Sequence, residues 1–332
     1  MRWLEPNRGG ATAMSALFQY QLLGSSPAFR KVRLQIERIA GIDATVLIEG
    51  ETGTGKEMAA RAIHYLGQRK DCPFVPINCG ALTEHLIESE LFGHERGAFT
   101  DAKTMSGGLI QAAHGGTLFL DEIDSLGHKA QAALLRFLQD GMYRRVGSGK
   151  IQQANVRVLV ASNANLLQLA EDKKFRKDLY FRISVLSLRM PSLRERTGDA
   201  VELAEIFVSR FARHYGRDKA KLAPESVAYI NSHEWPGNVR ELENAVHRAF
   251  LLSDSPRIVL PDVAETAEAD SPRAVQGFRA AKVEAVRQFE RSYVLQIMNE
   301  TGGNITKAAR LANQDPSAFG KLVRKYRSDL QA

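Results

Sequence analysis

The sequence predicts an α/β fold: a parallel sheet with helices on both faces, followed by an all-helical segment and a basic, helical tail. Three observations carry this. Strand-like and helix-like segments alternate from about residue 23 to 190, and that alternation builds parallel sheets. A glycine-rich loop, Gly50-Glu51-Thr52-Gly53-Thr54-Gly55-Lys56-Glu57, joins a short apolar run to a helix-like stretch. From about 191 onward, apolar residues recur at helical spacing.

Residues 1–22 form a short leader of mixed character, which leaves no room for an N-terminal sensory or receiver domain. The α/β segment, 23–190, holds expected strands at 45–48, 74–78, 117–120, 156–161 and 185–188. Its expected helices are 28–40, 56–66, 84–92, 129–140 and 165–171. A helical subdomain, 191–254, follows with helices at 201–215, 224–232 and 239–252. The stretch after Ser253 is rich in Asp, Glu, Pro, Ser and Ala, so 255–277 reads as a linker. Residues 278–332 form a C-terminal all-α domain.

Composition excludes several classes. Apolar residues make up 44% and charged residues 25% of 332 positions, ordinary for a soluble chain. No apolar run approaches the ~18 residues of a membrane helix. The first residues lack an apolar export signal, and the only two cysteines, Cys72 and Cys79, make no disulfide framework, so a cytoplasmic protein is expected. The eight histidines do not pair with the cysteines at zinc spacing. A net charge of +7 favours a polyanionic partner.

Strand, glycine loop and helix in that order make a phosphate cradle, against the alternative of an ordinary glycine turn. The glycines let backbone N–H groups turn onto an anion, and the following helix adds its positive end. Lys56 would reach the β- and γ-phosphates. Glu57 stands where Ser or Thr is general; it offers no hydroxyl, although a carboxylate can hold Mg2+ through water. Downstream, Gly115-Gly116-Thr117-Leu118-Phe119-Leu120-Asp121-Glu122 delivers two carboxylates at a strand's C-terminal end, where open α/β sheets bind ligands. Asp121 is placed to hold Mg2+ and Glu122 to polarise an attacking water. Surface acids capping a strand are the alternative.

With these motifs, the stretch from Gly24-Ser25-Ser26-Pro27 to Trp235-Pro236-Gly237-Asn238-Val239-Arg240-Glu241-Leu242 resembles the AAA+ P-loop ATPase domain of the sigma-54-dependent transcription activators, the bacterial enhancer-binding proteins. The most specific part is Glu88-Ser89-Glu90-Leu91-Phe92-Gly93-His94-Glu95-Arg96-Gly97-Ala98-Phe99-Thr100-Asp101-Ala102. The resemblance covers about two thirds of the chain and implies an AAA+ core with a helical lid subdomain. It also accounts for Glu57, which the family has at that position.

Further roles follow from the resemblance alone. Asn78 matches a switch residue that holds the catalytic Glu away from water. Ser162 and Asn163 match the first sensor of the γ-phosphate, and Arg240 matches the second, in the lid. Arg176 and Arg182 match arginines that enter a neighbouring subunit's site. A guanidinium supplied in trans stabilises transition-state charge and makes hydrolysis conditional on assembly, which implies a ring, a hexamer by analogy. Surface salt bridging is the alternative for both.

The family's surface loop reads Gly-Ala-Phe-Thr-Gly-Ala and touches the sigma factor. Here Gly97, Ala98, Phe99, Thr100 and Ala102 are retained, and the second glycine is Asp101. Glycine permits positive φ, which Asp tolerates better than most residues. Three outcomes stay open: normal function, tuning to a particular partner surface, or weakened remodelling.

The tail, from Thr301-Gly302-Gly303-Asn304 to Tyr326, has helix-turn-helix character and resembles the Fis-type domain usual at this end of the family. Asn304 is placed to cap one helix, Pro316 to start the next, and residues 278–298 to form the preceding one. Residues 301–327 hold six Lys or Arg against one acid, Asp315, a phosphate-binding footprint. Ser317, Gly320, Lys321, Arg324 and Lys325 are the expected DNA contacts; a solvated basic helix is the alternative.

The expected function is an ATP- and Mg2+-dependent activator. It binds double-stranded DNA upstream of a promoter, assembles into a homo-oligomeric ring and remodels sigma-54 RNA polymerase. Without a receiver, control would come from a separate regulatory protein, from expression level or from the leader. Two rivals stand: a DNA-binding regulator or repressor with retained ATPase that Asp101 prevents from remodelling sigma-54, and a general AAA+ remodeller. The segment 88–102 and the tail argue against the second.

Overall fold

The computed structural model describes residues 22–98, 102, 104–217 and 219–260, and in the tail 290, 293–294, 297–298, 301, 304–312, 314–315, 319–321 and 323. The chain divides into two units, 1–264 and 265–332.

In the first unit, Ser26 opens helix α1 (Pro27–Ala40). Its Oγ accepts from the Phe29 N–H at 3.2 Å, and Pro27 fills the first helical turn. Then follow β1 (Val46–Glu49), α2 (Lys56–Tyr65), β2 (Phe74–Asn78), α3 (Glu84–Phe92), α4 (Gly108–Ala112), β3 (Thr117–Asp121) and α5 (His128–Asp140). An antiparallel hairpin, β4 (Met142–Arg144) and β5 (Ile151–Gln153), precedes β6 (Arg157–Ser162), α6 (Leu166–Glu171), α7 (Lys177–Ile183) and β7 (Leu186–Arg189).

Five strands form one parallel sheet in the order β2-β3-β6-β1-β7. Alternate residues feed two separate cores. Leu47, Leu118, Leu120, Val158 and Val160 face the core shared with α3–α7; Val46, Ile48, Phe119, Leu159 and Ala161 face α1 and α2. Burial on both faces is why these strands read as continuous apolar runs. β1, β2, β3 and β6 all end at the sheet's carboxyl edge, and Asn78 pairs in register with Asp121 as Glu49 does with Ser162.

The lid comprises α8 (Asp199–Tyr215), β8 (Lys221–Leu222), α9 (Pro224–Ser232), α10 (Asn238–Leu252) and β9 (Arg257–Ile258). Leu203, Phe207, Leu242, Val246 and Phe250 fill its core, and the Trp235 indole N–H donates to Ile230 O at 3.0 Å. Ile258 and Leu260 are also buried there, and β9 pairs with β8. The packed lid therefore runs to Leu260, past the expected end at 254, and the first residues of the expected linker belong to it. The rest of that linker lies outside the described residues.

A buried ion pair fastens lid to core. Asp199, fully buried at the start of α8, accepts from the Ser25 N–H at 2.9 Å, the Ser26 N–H at 2.8 Å, Ser26 Oγ at 2.9 Å and Arg196 Nε at 2.8 Å. The Arg196 guanidinium stacks on Phe29 of α1 at 3.7 Å and donates to Leu23 O at 2.6 Å. Among the described residues no helix is long and apolar enough to cross a membrane.

Candidate nucleotide site

The Gly50–Glu57 loop leaves β1 and enters α2, as expected. Gly53 has φ of 79°, and a Cβ there would lie 2.1 Å from the Gly237 carbonyl oxygen of the lid. Its glycine is required by backbone conformation and by close approach together. Lys56, nine-tenths buried, donates to Gly50 O at 2.8 Å and Glu51 O at 3.1 Å. Burial pushes its ammonium pKa down, opposed by Asp121, Glu122 and Asp124. Glu57 is paired with Arg61 at 2.7 Å, so its carboxylate is already engaged.

The two acids stand at the end of β3. Asp121 accepts from the Glu122 N–H at 3.0 Å; burial raises its carboxyl pKa and Lys56 opposes the shift. Glu122 sits in the left-handed region at φ 53°, a strain of about 1–3 kcal/mol of the kind that clusters at working sites. Its carboxylate lies over Gly80, where a Cβ would come within 2.3 Å of Oε2. Asn78 turns its Oδ1 to the N–H groups of Gly80 and Ala81, at 2.8 and 3.1 Å, capping the short turn Cys79–Ala81. No hydrogen bond joins Asn78 to Glu122 among the described residues, so a switch contact has only the Asn78 Nδ2 to use. Cys79 is buried with its thiol pushed up to about 12 by burial, an inert core residue.

Sensor candidates from β6 are tied into the same edge. Ser162 Oγ donates to Asp124 Oδ1 at 2.6 Å, and Asn163 Nδ2 donates to Thr52 Oγ1 at 3.1 Å. Glu51 bonds Arg194, with one contact at 2.9 Å, and this holds its carboxyl below the usual range with help from Asn238.

Several of these residues line a cleft of about 440 Å³ between core and lid, a size suited to small-molecule ligands. It gathers Thr52 to Glu57, Asn78, Asp121, Glu122, Asn163 and Arg240. Its lining also includes the apolar Leu22, Leu23, Phe29, Leu203 and Phe207, together with Arg196 and a paired Arg210 and Glu243. Sequence reasoning missed these residues. Their apolar spacing marks them only as core, and nothing local tells a core face from a cleft wall.

Arg176 and Arg182 are not brought to this cleft. Both are exposed, at and on α7: Arg176 pairs with Asp178 at 2.7 Å, and Arg182 donates to Leu138 O at 3.0 Å from Nε. The loop around Gly97 is closed at its base, where the Gly97 N–H donates to Ala102 O at 2.9 Å. Arg145, in the turn of the β4–β5 hairpin, holds Glu95 at 3.3 Å on one side of that loop and Gln111 at 3.2 Å on α4. Phe99, Thr100 and Asp101 lie outside the described residues.

In the tail unit, helix α11 (Ile305–Leu311) starts at Asn304, whose Oδ1 accepts from the Lys307 N–H at 3.1 Å. Ala308 and Ala309 are buried against Val294, Ile297, Met298, Phe319 and Val323. Lys307, Arg310 and Lys321 are exposed. Gly320 is buried, and its nearest side-chain neighbour is the exposed Ile305. Ser317, Arg324 and Lys325 lie outside the described residues.

Comparison with known proteins matches three families along the chain: the Sigma-54 interaction domain over residues 22–189, an AAA+ ATPase lid domain over 194–278, and the Fis family of bacterial regulatory proteins over 285–317. The Nif-specific regulatory protein of Azotobacter vinelandii is 42% identical over 300 residues, 90% of this chain; the chain spans 57% of that relative's length. The transcriptional regulatory protein FlbD of Caulobacter vibrioides is 41% identical, covering 90% of this chain and 69% of its own. A crystal structure of NtrX from Brucella abortus superposes with a TM-score of 0.69 at 33% identity, covering 94% of this chain and 70% of that one. NtrX has also been solved with ATP and with ADP, with TM-scores of 0.67.

Proposed function

The chain belongs to the sigma-54-dependent transcription activators, with an AAA+ ATP-binding domain and a DNA-binding helix-turn-helix, and on that premise we propose an ATP-driven remodeller of sigma-54 polymerase working as a cytoplasmic ring. The observation that carries it is the convergence of Lys56, Asp121, Glu122, Asn163 and Arg240 on one cleft that also has apolar lining residues. The apolar lining residues suit a purine base. Lys56 exchanges its two loop carbonyls for phosphate oxygens. Glu122, unpartnered among the described residues, accepts a proton from the attacking water. The hard oxygen donor Asp121 fits Mg2+, which would supply charge neutralisation between phosphates.

Besides Lys56 and Arg240, the described cations lining the cleft are Arg196 and Arg210, each already paired with a carboxylate, and the exposed Arg176 and Arg182 suit delivery of a further guanidinium from a second copy. Hydrolysis then moves the Phe99 loop, whose base is gripped by Arg145, against sigma-54. Domain limits near 190 and in the 261–277 stretch are part of this reading. The tail presents Lys307, Arg310 and Lys321 to DNA phosphate, and Ser317, Arg324 and Lys325 are proposed as further DNA contacts from the sequence.

Hydrolysis per subunit is expected to rise with protein concentration. Lys56→Ala and Arg182→Ala are each inactive alone, yet mixing them recovers activity at the interfaces that keep both groups. No recovery on mixing, with both variants folded, would sink the shared site. A second reading, a DNA-binding ATPase that leaves sigma-54 alone, is favoured only by the charge at Asp101; an Asp101→Gly protein that gains open-complex activity absent from the native chain would establish it.

A further inference from the structure

The outer half of the phosphate loop is held by the lid, at a single buried side chain. Asn238 is fully buried at the first position of α10, in the left-handed conformation at φ 53°. Asn tolerates that conformation better than most residues. Its Nδ2 donates to Thr52 O at 3.0 Å and Glu51 Oε2 at 3.1 Å, with Pro236 O at 3.3 Å, and its Oδ1 accepts from the Leu193 N–H at 2.7 Å. The next residue adds a backbone bond, Val239 N–H to Gly53 O at 3.1 Å. Three segments thus meet at one carboxamide: the loop at 51–53, the core-to-lid connection at 192–195, and the start of α10 that carries Arg240.

These bonds set peptide orientation. In a trans peptide the carbonyl and the following N–H point in opposite directions. Thr52 O drawn to Asn238 therefore turns the Gly53 N–H away from the lid junction. Glu51 is fixed twice, by Asn238 and by Arg194 on the connection. Gly53 leaves no slack, since a Cβ there would meet Gly237 O at 2.1 Å.

We propose that Asn238 is a positioning residue that locks loop geometry to lid orientation, so that the loop is competent for phosphate only when the lid is seated. This rests on the nucleotide reading of the cleft. Lid motion then changes loop and Arg240 together, and nucleotide release requires breaking this junction.

The test uses the full chain with Trp3→Phe, so that buried Trp235 alone reports whether the lid is intact. Fluorescent ATP and ADP analogues are titrated against Asn238→Ala and against Asn238→Gly, which keeps the backbone conformation. Both variants are expected to bind about tenfold or more weakly and to release ADP faster, with hydrolysis at saturation changed less than about threefold. Gly53→Ala weakens binding alone but adds little in the Asn238→Ala background, because the junction is already open. Native-like affinity in either folded variant, or full additivity with Gly53→Ala, would overturn the proposal. A native chain that binds no nucleotide would instead overturn the reading it rests on. If Asn238→Ala loses the Trp235 signal, Asn238→Gly decides.

Discussion

Asp199 should carry more of the first unit's stability than any ion-pair count suggests. Replacing it with Ala strips an acceptor from four donors at once: two backbone N–H groups, the Ser26 hydroxyl and the Arg196 guanidinium. Arg196 is then left 97% buried and unpaired on the face of Phe29, its burial already lowering its pKa against Asp199. Breaking a buried pair by removing one partner costs about 3–5 kcal/mol. Each kcal/mol shifts the midpoint of a unit this size by about 2–4 °C, so Asp199→Ala is expected to melt about 6–20 °C lower. Arg196→Met should cost less, because the Asp199 carboxylate keeps three donors and the methionine still covers the Phe29 ring. Urea and thermal unfolding followed by Trp235 emission, with Trp3→Phe, measure both. A loss under about 1 kcal/mol for Asp199→Ala, or a larger loss for Arg196→Met, would refute the reasoning.

Three more outcomes follow from single residues. Gly80→Ala places a methyl 2.3 Å from Glu122 Oε2 and forces that side chain to move; hydrolysis should fall about tenfold while ATP affinity stays within about twofold, read by steady-state kinetics and equilibrium binding. His64 is buried with its pKa lowered to about 4, mainly by burial. The unfolded chain takes up that proton first as pH falls below 6.5, so up to about 3 kcal/mol of stability, present above pH 6.5, is lost by about pH 4; His64→Gln should flatten the slope of unfolding free energy in that window. Lys321→Ala should weaken DNA binding across unrelated sequences alike and lower the salt slope by about one unit, measured by titration at several salt concentrations.

Much of the first unit is legible in the sequence because its physics is local. β1, β3 and β6 are short apolar runs, and their buried faces on both sides leave no polar alternation to confuse them. The sequence places Asn165 at the start of a helix, and its Oδ1 caps that helix by accepting from the Gln168 N–H at 3.1 Å. The hairpin β4–β5 escaped notice because Met142–Arg144 and Ile151–Gln153 are three residues each, with exposed Met142 and Ile151. Around 253–260 the composition reads as linker, yet Ile258 and Leu260 are buried by tertiary packing that no local pattern announces.

The site divides the same way. Backbone-driven features, the glycine loop and the acids ending β3, show in spacing. Arg196, Asp199 and Asn238 do not, because a buried polar residue is recognised only by the partners the fold brings to it.

The most direct measurement is open-complex formation on a promoter carrying the chain's own binding site, with sigma-54 polymerase and ATP. The native protein should open the promoter only with hydrolysable ATP, and Glu122→Gln, which keeps ATP binding, should not. Opening by Glu122→Gln at the native rate, or no opening by a native protein that binds the DNA and hydrolyses ATP, would contradict the account.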